Sequence, residues 1–239
     1  MRKSNKKTNF SKLIILAIVL LVPGFLYIVL NKVGSNAYLK LPVYGEKVLS
    51  GKMNRKMGRE IPDTIFHQVK PIALFDGNGN DVGFLKSDSI ISVVHLMYAN
   101  DTGLSTVLFQ KLKPIVDRFV NNNKVRFYSI SVDTTDTAAK LKQLEQQYVK
   151  DSGKHWFVVG SKADILPFVK DQLLIDAFPD PTEAGKFRIS NNYLLIDTEG
   201  RIRGFYDINL KTEPERLQDE IKVQLVEEAR NNPFKIEQK

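Results

Sequence analysis

Residues 13–30, LIILAIVLLVPGFLYIVL, form a stretch of eighteen residues without a charge. At about 1.5 Å per residue a helix of that length spans roughly 27 Å, close to the thickness of a bilayer's hydrocarbon core. Lys12 and Lys32 flank the stretch, and long basic side chains extend from such positions to the headgroups. The sequence therefore predicts one transmembrane helix over 13–30 behind a basic leader over 1–12. Pro23 and Gly24 fall mid-span, where a lipid-embedded helix tolerates a kink. The leader holds Arg2, Lys3, Lys6, Lys7 and Lys12, and no acidic residue precedes Glu46. By the positive-inside rule the N-terminus is expected in the cytoplasm and the rest of the chain outside it. A cleaved signal peptide fits less well, because the apolar run exceeds an ordinary signal core and residues 34–37 offer only a poor small-residue cleavage site. The leader also lacks the Ser-rich character of a mitochondrial transit peptide. The expected location is a bacterial inner membrane, single-pass, with the domain in the periplasm and membrane lipid as one partner.

The chain has 239 residues and no cysteine. That excludes a disulfide framework, a thiolate nucleophile, a redox dithiol and any cysteine-ligated metal. Of the formal charge of +8, five positive charges lie in the first twelve residues, leaving +3 over the remainder. Without a dense Lys/Arg stripe, nucleic acid is not an expected partner.

Residues 31–60 read as a polar, Lys-rich tether without apolar periodicity, and 61–230 as the folded domain, with 231–239 as a tail. Within the domain, 72–75 followed by DGNGNDVG reads as a strand and turn. Residues 89–99 form a nearly continuous apolar run, expected of a central strand covered on both faces. A helix follows over 105–120, a strand over 125–132, a polar helix over 134–150, a strand over 156–159 and a helix over 162–170. Strands over 193–197 and 202–206 join through a turn at 198–201, and an amphipathic helix closes the domain over 213–230. This order is that of a thioredoxin-like α/β fold.

The strings IPDTIFHQVKPIALFDGNGNDV, IISVVHLMY, KPIVDRF, VRFYSISVDTTDT, KHWFVVGSKADI and YLLIDTEGRIRGFYD together resemble the Sco/SenC family, over roughly residues 41–226. The resemblance implies a membrane-anchored thioredoxin-like fold, of a family that delivers copper during cytochrome c oxidase assembly. The family's chemistry uses two cysteines three residues apart at a strand-to-helix turn, and a histidine before the later LID strand. Aligning KPIVDRF and YLLID sets Asp101 and Ser105 at the cysteine positions and Ile189 at the histidine position. A carboxylate, a hydroxyl and an isoleucine make no soft copper site. VDTTDT is also one residue shorter than the family's usual spacing. The resemblance thus implies fold and partners, an oxidase subunit or another Sco-like protein, without copper or thiol chemistry. The expectation is a non-catalytic binding or assembly module, not an enzyme and without a cofactor. The alternative is a copper carrier with a displaced, cysteine-free site.

Few residues offer themselves for such a site. His95 and Met97 share one strand face by their period-two spacing, and imidazole with thioether suits copper. Their apolar surroundings favour core packing instead. Asp101 or Thr102 is expected to cap the helix that follows, with Gly103 relaxing the turn. His67 and His155 stand alone in the sequence, and Met53 and Met57 lie in the tether. Asp133 and Asp136 read as a cap region, and Glu227 and Glu228 as a solvated helix face. No G-x-S-x-G elbow or Ser–His pairing marks a hydrolase.

Overall fold

Seven consecutive buried residues, Ile91–Met97, form the strand around which the larger unit of the chain is built. The computed structural model describes residues 6–32, 40–56, 59–86, 89–101, 103–149 and 155–231. The chain divides into two units, Met1–Leu39 and Lys40–Lys239. The first contains helix α1, Lys6–Lys32, which runs through Pro23 and carries the apolar stretch Lys12–Val29, long and apolar enough to cross a membrane. Residues 34–37, the poor signal-cleavage site, lie outside the described residues, as do Met57, Thr102 and the tail from 232 on.

The second unit begins with a hairpin, β1 (Lys47–Lys56) and β2 (Arg59–Phe66). Then follow β3 (Ile91–Met97), α2 (Leu104–Phe119), β4 (Val125–Ser131), α3 (Ala138–Leu144), β5 (Trp156–Val159) and α4 (Leu166–Asp171). A small hairpin of β6 (Ala177–Pro179) and β7 (Phe187–Ile189) precedes β8 (Asn192–Ile196), β9 (Ile202–Asp207) and α5 (Glu213–Asn231). The central sheet has the order β5-β4-β3-β8-β9. Its first three strands are parallel, and β8 and β9 are antiparallel to their neighbours. This is the thioredoxin-like arrangement that the element order predicts.

Alternation along β3 explains why its sequence reads as one apolar run. Ile91, Val93 and Met97 enter a core shared with Leu108, Phe109 and Leu112 of α2 and Leu217 and Ile221 of α5. Val94 and Leu96 enter the opposite core with Ile165, Val169 and Leu173. Because both faces are covered, no position in the strand is left for a polar residue without a partner.

Four segments differ from the sequence expectation. The tether expected over 31–60 gives way, from Lys40 on, to the folded unit and its first hairpin. The hairpin register shifts between Leu49 and Met53, which breaks the period-two pattern that would have revealed a strand. Residues 72–75 form no strand; Phe75 makes single bridges to Asp81 and Gly160. The helix expected over 134–150 starts at Ala138, where the Thr137 hydroxyl accepts from the Lys140 amide, and widens into a π-helical turn at Glu145–Val149. The β6–β7 hairpin, three residues per strand, is too short to leave a pattern.

A buried ionic network ties the start of this unit to its end. The Arg203 guanidinium, 2% exposed, donates to Asp197 Oδ2 at 3.0 Å, to Glu227 Oε2 of α5 at 2.8 Å and to the carbonyl of Leu41 at 2.8 Å. Asp197 also accepts from the amides of Glu199 and Arg201 and from Arg201 Nε. On α5, Glu228 accepts from the Thr198 hydroxyl and from the side-chain Nε2 of buried Gln224. The sequence reading of Glu227 and Glu228 as a solvated face is therefore corrected: both hold the β8–β9 turn. Removing one member of a buried charge group strands the others. Arg203→Met is expected to lower unfolding free energy by about 3–5 kcal/mol, read by urea denaturation. An unchanged midpoint would mean that the network carries no weight.

Candidate functional site

The chain leaves β3 at Tyr98 and turns into α2 through residues 98–104, the location where the sequence sets Asp101 and Ser105. Neither carboxylate oxygen of Asp101 is idle: Oδ1 accepts from the Gly103 amide at 2.8 Å and Oδ2 from the Ser105 amide at 2.7 Å. These are amides at the start of α2, which have no partner within the helix, so Asp101 is its cap. Gly103 itself offers no side-chain cap, and a Cβ there would come within 3.3 Å of Asp101 Oδ1. Ser105 is buried, and its hydroxyl accepts from the Tyr98 amide at 3.4 Å. Thr102, the alternative cap, lies outside the described residues.

Beneath the turn, Asp136 does more than the capping read from VDTTDT. It is 2% exposed; its Oδ2 accepts from the Ala99 amide at 2.8 Å and from the Ser131 hydroxyl at 2.6 Å. Asp136 thus joins the exit of β3 to the end of β4, with Lys140 Nζ at 3.5 Å from its other oxygen. The β6–β7 hairpin meets the turn from the other side. The rings of Tyr98 and Phe187 touch edge to face with centroids 5.5 Å apart. Burial pushes the Tyr98 hydroxyl's pKa up, and the charge of Asp101 adds to the effect. Ile189, on β7, is half-buried and packs against both core clusters. With three residues per strand the hairpin leaves no periodic signature, and Phe187 two residues before Ile189 is its one apolar cue in β7.

His95 and Met97 do share a face of β3, and that face is core. Met97 is fully buried in the core cluster shared with α2 and α5. His95 is fully buried too, edge-on to Phe109 and Tyr193. Its Nδ1 lies 3.1 Å from the Leu96 carbonyl, which only accepts, so Nδ1 carries the proton. Its Nε2 then accepts from the Ser129 hydroxyl at 2.6 Å, while Trp156 Nε1 donates to that same hydroxyl oxygen at 2.8 Å. Every polar atom of this chain of three residues has a partner. His67, in turn, contacts the Gln172 carbonyl through Nε2 at 2.8 Å, and Met53 is exposed on β1. Among the described residues no group of three His, Asp or Glu side chains gathers as a metal cluster.

Burial lowers the His95 pKa from 6.5 to about 4. The unfolded chain therefore binds a proton there at pH values where the folded chain does not. Stability from this site is full above pH 6.5 and is lost progressively as pH falls to about 4, by about 3 kcal/mol. Thermal unfolding between pH 7.5 and 4 is expected to show that loss, and His95→Asn to flatten it while lowering stability at neutral pH. Parallel pH profiles for the two proteins would contradict the assignment.

Comparison with known proteins adds the following. The SCO1/SenC family profile matches residues 66–225. A SCO1/SenC family lipoprotein from Bacillus anthracis superimposes with a TM-score of 0.58 at 19% identity, covering 66% of this chain and 95% of that one. Bradyrhizobium japonicum ScoI, solved with copper bound, gives 0.52 at 24% identity over 66% of this chain and 99% of its own. Arabidopsis thaliana ScoI with copper bound gives 0.51 at 20% identity over 68% and 98%. Among curated protein sequences none matches. At these identities the superpositions speak for the fold alone.

Proposed function

The chain belongs to the SCO1/SenC family, and from that premise we propose that it is a membrane-anchored, non-catalytic assembly module for cytochrome c oxidase biogenesis. In this reading α1 holds the chain in a bacterial inner membrane, the second unit faces the periplasm, and the protein acts by binding. Its partner is an oxidase subunit or another Sco-like protein. Asp101, Ser105 and Ile189 stand at the positions where copper-delivering members carry two cysteines and a histidine.

The supporting observation is the use to which the turn is put. Both oxygens of Asp101 are engaged by backbone amides of α2, Ser105 Oγ accepts a backbone amide, and Ile189 is apolar. Copper(I) as cargo prefers thiolate, thioether and imidazole, and this set offers none of them. A carrier using His95 and Met97 is opposed by their burial and by the hydrogen bonds on both His95 nitrogens. With no cysteine in the chain, thiol–disulfide exchange has no nucleophile either.

Two experiments follow. Elemental analysis of the full chain after Cu(I) loading and desalting is expected to find no retained copper. The Asp101→Cys, Ser105→Cys, Ile189→His triple variant is expected to retain about one copper per chain, because it supplies the soft donors at one place. Copper on the unaltered chain, or none on the triple variant, would overturn the assignment of the three positions. Crosslinking in native membranes is expected to recover an oxidase subunit or a Sco-like protein reproducibly; recovery of abundant bystanders alone would contradict the assembly role.

A further inference from the structure

At the β5 edge of the central sheet a cavity opens where the chain leaves that strand. One wall is the segment 72–75, a second the turn that carries Gly79 and Asp81, and the third residues 161–163. Its volume is about 300 Å³, at the lower end of the range in which proteins bind small molecules.

The walls are built into the fold. Phe75 and Gly160 exchange backbone hydrogen bonds of 3.0 Å in each direction, which lays 72–75 along the end of β5. Leu74, 1% exposed, belongs to the core cluster on that side, and Ile72 packs against it. A Cβ on Gly160 would lie 3.0 Å from the Phe75 ring, so glycine at this position gives the ring its room. The turn is fixed by Asp76 Oδ1, which accepts from the amides of Asn78 and Asn80 at 2.8 and 2.9 Å.

Two charged side chains line the cavity, and only one of them is committed. Asp81 Oδ1 accepts from the Gly83 amide at 2.8 Å, and its Oδ2 pairs with Lys86 Nζ. Lys162 has no ion pair or hydrogen bond among the described residues. Next to it, Ser161 is 4% exposed; its Oγ accepts from the Ala163 amide at 3.2 Å, and its own proton has no acceptor among the described residues. The lining thus offers one uncommitted cation and one buried hydroxyl donor beside the apolar side chains of Ile72, Leu74 and Phe75. A single positive charge matches a monoanion, whereas a phosphate dianion would bring a second negative charge toward Asp81 with nothing to neutralise it. The apolar walls match a hydrocarbon. At about 30 Å³ per non-hydrogen atom, a water molecule's share of the liquid, the space holds about ten of them.

We propose that this cavity binds a short-chain aliphatic monocarboxylate, its hydrocarbon against Ile72, Leu74 and Phe75 and its carboxylate on Lys162 and the Ser161 hydroxyl. The site lies wholly within the second unit and shares no residue with the turn after β3. It stands apart from the anchoring and assembly readings, neither of which has to hold for it.

The full chain in phosphatidylcholine nanodiscs, its alanine methyl groups labelled with carbon-13, is titrated with hexanoate and followed by methyl NMR. Ala73 and Ala163 lie in the cavity walls, and Ala17 in α1 reports hexanoate that merely enters the lipid. Saturable shifts are expected at Ala73 and Ala163, fitted by one dissociation constant, with none from hexylamine. Lys162→Gln is expected to weaken hexanoate binding about ten-fold, the loss of one charge-assisted hydrogen bond, and Lys162→Arg to retain it. Lys162 is exposed and unpaired among the described residues, so neither change disturbs the fold. Shifts confined to Ala17, or shifts at Ala73 and Ala163 that never saturate, would overturn the proposal. So would an equal response to hexylamine, or an affinity for hexanoate that Lys162→Gln leaves unchanged.

Discussion

The buried guanidinium of Arg203 is the constraint on which the second unit depends. A charge that is 2% exposed is tolerable only with partners, and its partners come from three distant parts of the chain: Leu41, Asp197 and Glu227. The same Asp197 closes the turn between β8 and β9, and α5 can approach that turn because Glu227 and Glu228 both find donors there. Arg203 Nε and Gln224 Oε1 are nonetheless buried without a partner among the described residues, so the network fixes geometry at some cost in stability. With both ends of the unit pinned, the central strands and the turn after β3 are held in register with each other.

The loop between a buried strand and a helix N-terminus presents free amides, and something negative or polar must satisfy them. Here Asp101 does so with both oxygens, while Asp136 secures the loop from below through Ala99. A side chain that faces inward to its own helix is unavailable to a cargo metal. Asp101 and Ser105 carry a carboxylate and a hydroxyl, and neither is a soft donor of the kind copper(I) prefers.

Much of this was legible in the sequence, for physical reasons that differ by element. The central strand announced itself because both faces are buried, and α2 because Leu108, Leu112, Ile115 and Phe119 recur at helical spacing. The burial of His95 followed from its apolar neighbours, whereas the groups that satisfy its Nε2, Ser129 and behind it Trp156, lie 34 and 61 positions away along the chain. The β1–β2 hairpin stayed hidden because a register shift destroys its alternation and because its apolar residues face outward. Likewise, Glu227 reads as a surface residue until Arg203 is placed beside it. A cap at Asp101 or Thr102 was legible from the spacing to the helix start; that Asp101 engages both Gly103 and Ser105 was not.

The urea unfolding free energy of Asp101→Ala beside the unaltered chain, each with and without Cu(I), separates a helix cap from a metal ligand. A carboxylate that serves as a helix cap predicts a loss of about 1–2 kcal/mol in the variant without metal, and no shift of either protein on adding Cu(I). Unchanged stability in the variant, together with stabilisation of the unaltered chain by Cu(I), would mean that Asp101 is a ligand and that the cap reading is wrong.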